Sequence, residues 1–207
     1  MGLWDERYSV AEYVYGTAPN RWLEAEAHRI RPGGRVLSLG EGEGRNAVWL
    51  AEQGFDVTAV DASAVGLEKA RRLAESRGVE LRTVQSDVTT WRPDPASYDG
   101  LVLIYLHLPP AARAAVHAAA EAALRPGGVL ILEAFNPRQL SFSSGGPRQV
   151  DMLYDAATIR ADFPGVDWEV LEEAEVELVE GTFHAGRAAV LRGVGRAGAP
   201  GRVGTAA

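Results

Sequence analysis

The stretch of sequence that decides the fold reads Val36-Leu37-Ser38-Leu39-Gly40-Glu41-Gly42-Glu43-Gly44-Arg45-Asn46. A short apolar run typical of a buried strand leads into a turn with three glycines and then into a helical pattern. Glycines in such a turn let a ligand approach the backbone, and the free amides at the start of a helix can bind it. The stretch therefore predicts a strand, a ligand-binding turn and a helix.

The spacing of the glycines narrows the class of ligand. A dinucleotide-binding turn needs G-x-G-x-x-G, whose third glycine lets helix and strand pack closely, and Arg45 stands at that place. A P-loop ends in Gly-Lys-Ser/Thr, which the sequence lacks. The observed G-x-G-x-G pattern suits a nucleoside whose methionine tail lies across the turn.

Strand-like runs and helical patterns alternate on either side of this turn. Strands are predicted at residues 35–39, 55–60, 79–84, 98–106 and 129–135, with helices between them. This alternation requires right-handed crossovers and a parallel sheet. The runs 168–179 and 188–194 are joined by too few residues for a helical crossover, so we expect them to pair antiparallel. We predict an α/β fold, a Rossmann-like, seven-stranded, mostly parallel sheet with helices on both faces and a C-terminal antiparallel hairpin.

Length and composition set the broad class. The 207 residues suit one domain, which we expect to span 1–196 with a helical lid at 1–32, followed by a disordered tail at 197–207. The polar, glycine-rich segment 136–151 is expected to be a mobile loop. A net charge of −7 argues against a nucleic-acid or anionic-membrane partner. The absence of cysteine, of a signal-like start and of a membrane-length apolar run predicts a cytoplasmic protein.

Acidic residues follow the second and third predicted strands. Asp61 can accept hydrogen bonds from the two hydroxyls of a ribose, although an N-cap role beside Ser63 is the alternative. Asp87 can accept the amino group of adenine while Val88 packs on the ring, although aspartate after a strand is also ordinary turn chemistry. The carboxyl ends of neighbouring parallel strands form the usual ligand edge of such sheets. The combination favours a nucleoside site.

These motifs carry a resemblance to a known family. The segments 36–61, 86–88, 98–106 and 124–128 resemble the class I S-adenosylmethionine-dependent methyltransferases, over residues 4–196. A closer likeness, to the tellurite-resistance and thiopurine-type branch, rests on Trp4-Asp5-Glu6-Arg7-Tyr8, Tyr15-Gly16-Thr17-Ala18-Pro19-Asn20, Gly44-Arg45-Asn46-Ala47 and Val57-Thr58-Ala59-Val60-Asp61.

The resemblance implies S-adenosylmethionine as cofactor and assigns it a set of residues. The implied cofactor-binding residues are Tyr15, Gly40, Glu41, Gly42, Gly44, Arg45, Asn46, Asp61, Ala62, Ser63, Asp87, Val88, Tyr105 and Leu106. The three glycines would cradle the methionine part, while Tyr105 and Leu106 would lie beside the sulfonium. This chain departs from the family at Ser38, where many relatives carry an acid, and at Glu41, where they carry a small residue; a nearby glutamate is expected to substitute for the acid.

Methyl transfer is an in-line displacement that depends mainly on alignment and on exclusion of water. A base is needed only where the acceptor loses a proton. His107, at the end of the fourth strand, is one candidate, with a plain turn residue as the alternative. The likeness further implies that Arg187 holds an anionic acceptor while His184 orients or deprotonates it, against the alternative of a solvated hairpin loop. No metal site is predicted, because histidines are scattered and cysteine is absent.

The sequence thus predicts a methyltransferase for a small molecule, which the branch likeness extends to chalcogen oxyanions such as tellurite or selenite, or to thiols. The alternatives are an O- or N-methyltransferase of another small metabolite and a non-catalytic S-adenosylmethionine-binding protein. A monomer and a homodimer are both compatible with the sequence. The aromatic residues of the N-terminal segment are expected either to dock it on the core or to close it as a lid over the cofactor.

Overall fold

The computed structural model describes residues 2–198. Seven strands form one sheet in the order β3-β2-β1-β4-β5-β7-β6. The strands are β1 (Arg35–Leu39), β2 (Asp56–Asp61), β3 (Arg82–Gln85), β4 (Tyr98–Ile104), β5 (Leu124–Phe135), β6 (Val166–Val179) and β7 (Ala185–Ala197). The first five pair in parallel, whereas β7 pairs antiparallel with both β5 and β6. The predicted sheet and its C-terminal hairpin are confirmed.

Helices cover both faces of the sheet, as predicted. The helices are α1 (Leu3–Tyr8), α2 (Arg21–Glu26), α3 (Arg45–Glu52), α4 (Ala64–Arg77), α5 (Pro110–Ala123) and α6 (Ala156–Asp162), with 3-10 turns at Ala27–Arg29, Pro137–Ser141 and Val150–Met152. Helices α2 and α3 bury apolar residues such as Leu23 and Leu50 on one face. Helices α5 and α6 pack against the other face through Ala120 and Ile159. Every residue of β4 is buried, as a strand covered on both faces must be.

Local signals explain the boundaries of α4, which leads away from the strand edge that concerns us below. The Ser63 hydroxyl oxygen accepts a 3.0 Å hydrogen bond from the Gly66 amide and so caps its first turn. Gly78 ends the helix with a φ of 69°, a left-handed conformation that glycine adopts without strain.

The structure differs from prediction in four segments. Strand β3 begins at Arg82 because the Val79 amide still bonds to the carbonyl of Ala74 in α4. Helix α6 was not predicted; the Asp155 side chain caps it by accepting a 2.7 Å bond from the Thr158 amide. Strand β7 continues through 195–197, paired with β6, one residue into the expected tail. The rest of that expectation, 199–207, lies outside the described residues.

The segment 136–151 is anchored rather than free. The Gln139 side chain accepts a 2.8 Å bond from the Ala189 amide of β7 and donates one to Ser144. The Ser144 hydroxyl in turn donates a 2.6 Å bond to the carbonyl of Arg187. Two of these contacts join the segment to β7 and the third is internal to it; the mobility of the segment stays a prediction. Across residues 2–198, no helix is long and apolar enough to cross a membrane.

Candidate cofactor and acceptor site

The glycine-rich turn lies between β1 and α3, and its glycines have two different structural roles. All three have positive φ, from 62° to 94°. A Cβ on Gly44 would lie 2.7 Å from the backbone of Ala70, so this glycine lets α3 and α4 approach each other. A Cβ on Gly40 would meet Leu106 at 2.9 Å, and one on Gly42 would meet the Tyr8 hydroxyl at 2.5 Å. Gly40 and Gly42 therefore keep the ligand-facing side of the turn narrow and free of side chains.

A carboxylate lies buried beneath the turn. One oxygen of Glu41 accepts bonds of 3.0 and 2.9 Å from the amides of Asn46 and Ala47 at the start of α3. The Ser38 hydroxyl donates to the other oxygen. Burial raises the pKa of Glu41, although these hydrogen bonds act to lower it. Glu41 thus places a carboxylate beneath the turn, held by Ser38 and by the start of α3; that it substitutes for the acid implied at position 38 stays a prediction.

The carboxylate of Asp61 faces the same turn. Its two oxygens accept 2.8 Å bonds from the amides of Gly42 and Ser63. Burial raises its pKa. Each oxygen keeps a further lone pair that a ribose hydroxyl can use. Within the Asp61/Ser63 pair, Ser63 takes the N-cap role of the alternative interpretation, and Asp61 ties the glycine turn to the end of β2.

The predicted adenine-binding residues lie at an open strand edge. Asp87 is exposed and accepts a 2.8 Å bond from the Thr89 amide; this hydrogen bonding lowers its pKa. Val88 is partly buried against the main core, and Ala62 is exposed. Asp87 thus has the turn role of the alternative interpretation and is also accessible to solvent.

The part of the edge around Gly42 and Asp61, the predicted ribose and methionine end, is covered by the N-terminal segment. The Tyr8 hydroxyl lies over Gly42, and Asp5 accepts a 2.7 Å bond from the Ser63 hydroxyl. Asp61 is only 8% exposed beneath them. A ribose can reach the Asp61 carboxylate only if Tyr8 and Asp5 move.

Lys69 of α4 fixes this segment to the glycine turn. Its ammonium donates to the carbonyls of Val10 and Glu12 at 3.0 and 2.6 Å and forms an ion pair with Glu43. The other oxygen of Glu43 accepts a 2.8 Å bond from the Val14 amide. Lys69 and Glu43 are both buried. We call this arrangement of Lys69, Glu43 and the segment 8–15 the lysine clamp.

A second buried polar network lies at the ends of β4 and β5, and sequence reasoning missed it. Glu133 accepts 2.7 and 2.6 Å bonds from Tyr105 and Asn20, and a 2.5 Å bond from Arg192. Tyr105 has a positive φ of 54°, and burial raises the pKa of its phenol well above its usual value. An acidic residue inside the otherwise apolar run of β5 was the available signal. The hydrogen bond from the Tyr105 phenol to the buried Glu133 carboxylate accounts for the strained backbone conformation of Tyr105.

His184 is buried between the N-terminal segment and the strand ends. Its ring lies 4.6 Å from that of Tyr15, 4.5 Å from that of Tyr105 and 5.3 Å from that of Phe135, measured between centroids. Its Nδ1 atom is 3.5 Å from a carboxylate oxygen of Glu180. Burial lowers the pKa of His184, so the ring is neutral near pH 7. The alternative of a solvated loop histidine is wrong.

Arg187 does not join His184. Its side chain is 68% exposed and forms a 2.5 Å ion pair with Glu175 on the neighbouring strand β6. Its guanidinium also lies 5.7 Å from the ring of Phe142. The two residues diverge because the turn between β6 and β7 directs one side chain inward and the other outward. The structure therefore does not support a pair in which Arg187 holds the acceptor for His184.

His107 is placed at the strand edge but has no free nitrogen. Its Nδ1 lies 2.7 Å from the carbonyl of Met152, and its Nε2 accepts a 3.2 Å bond from the Phe135 amide. Burial lowers its pKa to about 4. The ring is a neutral bridge between β4, β5 and the 150–152 turn, so we do not retain it as a base.

The structure brings most of the predicted residues to one edge of the sheet. Tyr15, the glycine turn, Asp61, Tyr105 and His184 converge there, whereas Arg187 does not. Arg45 is turned toward Glu180, to which its Nη2 donates a 2.9 Å bond, and its Nη1 is buried without a partner. Asn46 accepts a 2.9 Å bond from the Asn20 amide. Within residues 2–198 no group of three histidine, aspartate or glutamate residues could hold a metal ion.

Comparison with known proteins shows a partial match in sequence and a match in fold. Residues 36–128 match the family model of a methyltransferase domain. That segment contains the glycine turn, Asp61, Asp87 and β4, and it makes up 93 of the 207 residues. The sheet order agrees with this match.

Individual relatives share part of the sequence or the fold. A tRNA 5-carboxymethoxyuridine methyltransferase of Escherichia coli is 34% identical over 112 residues, which are 51% of this chain and 42% of that one. A solved structure concerned with conversion of a disulfide bond into a thioacetal group during echinomycin biosynthesis has a TM-score of 0.75 at 20% identity, covering 96% of this chain and 89% of the other. The structure of TehB from Haemophilus influenzae has a TM-score of 0.67 at 17% identity, covering 84% and 60%. The chain thus spans less than half the length of the curated relative described, and the two structures establish the fold alone.

Proposed function

We propose that the chain binds S-adenosylmethionine along the glycine turn and transfers its methyl group to a small molecule. Gly40 and Gly42 would cradle the methionine part, with the buried Glu41 carboxylate beneath, and Asp61 would hold the ribose. Asp87 and Val88 would face the adenine. The narrow, Cβ-free surface of the turn and the spare lone pairs of Asp61 support this fit. The cofactor would supply an electrophilic methyl group, and the protein supplies alignment and exclusion of water.

The contacts that cover the site support a small acceptor. The Thr182 amide in the β6–β7 turn donates a 3.0 Å bond to the carbonyl of Val14. Arg7 lies between the rings of Trp4 and Phe183, with its guanidinium 4.9 and 5.2 Å from their centroids. These contacts join the N-terminal segment to the turn and enclose His184. While closed, this cover shields the strand ends from a large partner, and the net charge of −7 opposes a nucleic acid.

In this proposal the N-terminal residues 1–32 act as a lid on a single domain spanning 1–196. Asp61 is buried under Tyr8 and Asp5, so the lid must open to admit the ribose and can then close to exclude water. The lysine clamp would hold the closed state. Hydrogen exchange of residues 4–20 should slow when S-adenosylhomocysteine is added; exchange that does not respond would contradict the lid.

The acceptor class follows from His184. A neutral imidazole among aromatic rings suits an acceptor that loses a proton, such as a thiol, a phenol or an N–H group. The chalcogen oxyanions implied by the branch likeness would need a cation, and Arg187 is committed to Glu175 on the outer surface. We therefore place thiols before tellurite or selenite, with O- or N-methylation of another metabolite as the second candidate. A protein that only binds the cofactor would not need a buried histidine opposite Tyr105.

The experiment is S-adenosylhomocysteine release from the purified chain with thiols, phenols, amines, tellurite and selenite, against a blank without acceptor. Release above the blank with one class would establish the activity and its chemistry. Binding of S-adenosylhomocysteine is measured in parallel by calorimetry, with Asp61→Asn as a variant expected to bind less. Binding without release by any acceptor would favour the cofactor-binding alternative, and absence of binding would refute the proposal.

A further inference from the structure

Glu180 and His184 face each other across the short turn that joins β6 to β7. The Glu180 amide donates a 2.8 Å bond to the carbonyl of His184, so the turn closes on itself and both side chains point inward. Glu180 Oε2 lies 3.5 Å from His184 Nδ1. Less than a tenth of each side chain is exposed. His184 Nδ1 is a buried polar atom without a full hydrogen bond, and the nearest carboxylate is that of Glu180.

The Glu180 carboxylate is itself held from the far side. Asn20 donates to its Oε1 at 2.9 Å, and Arg45 donates to its Oε2 at 2.9 Å. Although burial acts to raise it, the contacts with His184 and Arg45 lower the pKa of Glu180 to about 2. The carboxylate is therefore charged at neutral pH and fixed in one orientation by residues from α2 and α3.

The opposite edge of the imidazole has no partner among the described hydrogen bonds. No hydrogen bond of His184 Nε2 is found between residues 2 and 198, and the residue is 6% exposed. It faces Gly145, where a Cβ would come within 3.2 Å of it. The ring is thus oriented by a carboxylate at Nδ1 and has its second nitrogen uncommitted, whereas both nitrogens of His107 are committed.

We propose that Glu180 is the positioning residue that holds His184 with Nδ1 protonated, so that Nε2 accepts the proton of the methyl acceptor. This inference rests on the proposed function. The lone pair of the acceptor atom forms the bond to the methyl carbon, and the carbon–sulfur bond breaks with its electrons remaining on sulfur. The acceptor proton moves to Nε2, and the resulting imidazolium is stabilised by the Glu180 carboxylate until it releases the proton to water.

The charge of the surroundings is consistent with this role. Glu180 and Glu133 favour the protonated ring, whereas Arg45 and His107 disfavour it. The phenols of Tyr15 and Tyr105 pack on its faces. The charges of Arg45 and Arg192 balance those of Glu180 and Glu133. The surroundings of the His184 ring therefore carry no net charge before the ring takes up the proton. The site therefore favours a neutral acceptor carrying an ionisable hydrogen over a preformed anion.

The first test is the tautomer of His184 in the unmodified protein. The chain has four histidines, so nitrogen-15 spectra resolve each imidazole, and His184→Gln identifies the signal of interest. We expect a neutral ring protonated at Nδ1 at pH 7.5, with or without S-adenosylhomocysteine. A neutral ring protonated at Nε2 would overturn the proposal, and this measurement needs neither turnover nor a variant of Glu180.

The second test replaces the carboxylate. Glu180→Gln should lower the pKa of His184 by about one unit, because an opposite charge within a few ångströms is lost. The matched control is Glu177→Gln, an exposed glutamate of β6 three residues before Glu180, which should leave that pKa unchanged. An equal pKa in wild type and Glu180→Gln would refute the assignment. Where Glu180→Gln does not fold, the tautomer measurement decides.

The kinetic consequence separates this inference from the proposed function. With an acceptor found by product release, Glu180→Gln should lower kcat at least tenfold and move the acidic limb of its pH profile downward, with the cofactor KM unchanged. Glu180→Asp, which keeps the charge, should recover part of kcat. A uniform loss with no change in the pH profile would indicate a structural role only and would overturn the proposal. Absence of turnover with every acceptor would count against the proposed function and leave the tautomer result standing.

Discussion

Lys69→Met tests whether the lysine clamp holds the N-terminal segment on the glycine turn. Methionine keeps the apolar stem of the side chain and removes its ammonium. The variant loses the donors to Val10 and Glu12 and leaves the Glu43 carboxylate buried without its cation. Removing one member of a buried ion pair costs about 3–5 kcal/mol. We expect a loss of that size in the free energy of unfolding, measured by urea denaturation with circular dichroism.

The location of the damage is as informative as its size. Hydrogen exchange should accelerate in residues 8–15, and less in β1, because the clamp bonds mainly to the backbone of that segment. The matched control is Arg72→Met on the same helix, whose side chain is 67% exposed and pairs only with Glu68, and which should cost no more than about 1 kcal/mol. The double variant Glu43→Gln/Lys69→Met should be less damaged than the sum of the two single ones.

One outcome would refute the reasoning. If Lys69→Met unfolded at the same urea concentration as Arg72→Met and left exchange in 8–15 unchanged, the ammonium would not hold the segment. The buried position of Glu43 would then need another source of compensation. The covered state of the site would in that case rest on the aromatic contacts of Tyr8 and Tyr15 and on the Asp5–Ser63 and Thr182–Val14 bonds.

Three further predictions concern the site. Asp61→Asn should weaken S-adenosylhomocysteine binding by about 3 kcal/mol, seen by calorimetry, if two charge-assisted bonds to the ribose are lost; equal affinity would remove the ribose assignment. Gly42→Ala should displace Tyr8 and speed its exchange, since the new Cβ would lie 2.5 Å from the Tyr8 hydroxyl at a φ of 62°; unchanged exchange would contradict that. His107 has its pKa lowered to about 4 from 6.5, so the unfolded chain alone gains a proton as the pH falls through this window and stability drops. The stability advantage of wild type over His107→Gln, measured by urea denaturation, should shrink between pH 7 and 4.5. An advantage that stays constant over this range would contradict the prediction.

The sheet could be predicted because its signals are local. The apolar run before Gly40, the cap at Ser63 and the uninterrupted burial of β4 each constrain a few neighbouring residues, and the parallel order follows from their alternation. Helix α6 escaped prediction because its seven residues carry no long period, and only the Asp155 cap marks its start. Short helices depend on tertiary packing more than on their own sequence.

The glycine turn and the acids at the strand ends could also be located from the sequence, whereas the polar network of Glu133 and Glu180 could not. Glycines and an acid at strand ends occupy fixed places relative to β1 and β2. Glu133 and Glu180, in contrast, are 47 residues apart in the chain and acquire a common partner in Asn20 only when the sheet closes. Arg187 shows the converse, since its direction depends on the pleat of β7 and on pairing with Glu175. Side-chain direction in a turn is a property of register, which the sequence alone leaves open.

The lysine clamp also makes the protein its own chemical reporter. Lys69 is the sole lysine among the 207 residues, so the chain carries a single ε-amino group. Acylating reagents need that amine free and uncharged, and here it is buried, charged and bonded to backbone carbonyls. Each acylation of Lys69 therefore requires the N-terminal segment to move away from it. Mass spectrometry detects the product as a single mass increment on the peptide that contains Lys69. The rate of labelling, with and without ligand, would follow the opening of the site in solution without any engineered probe.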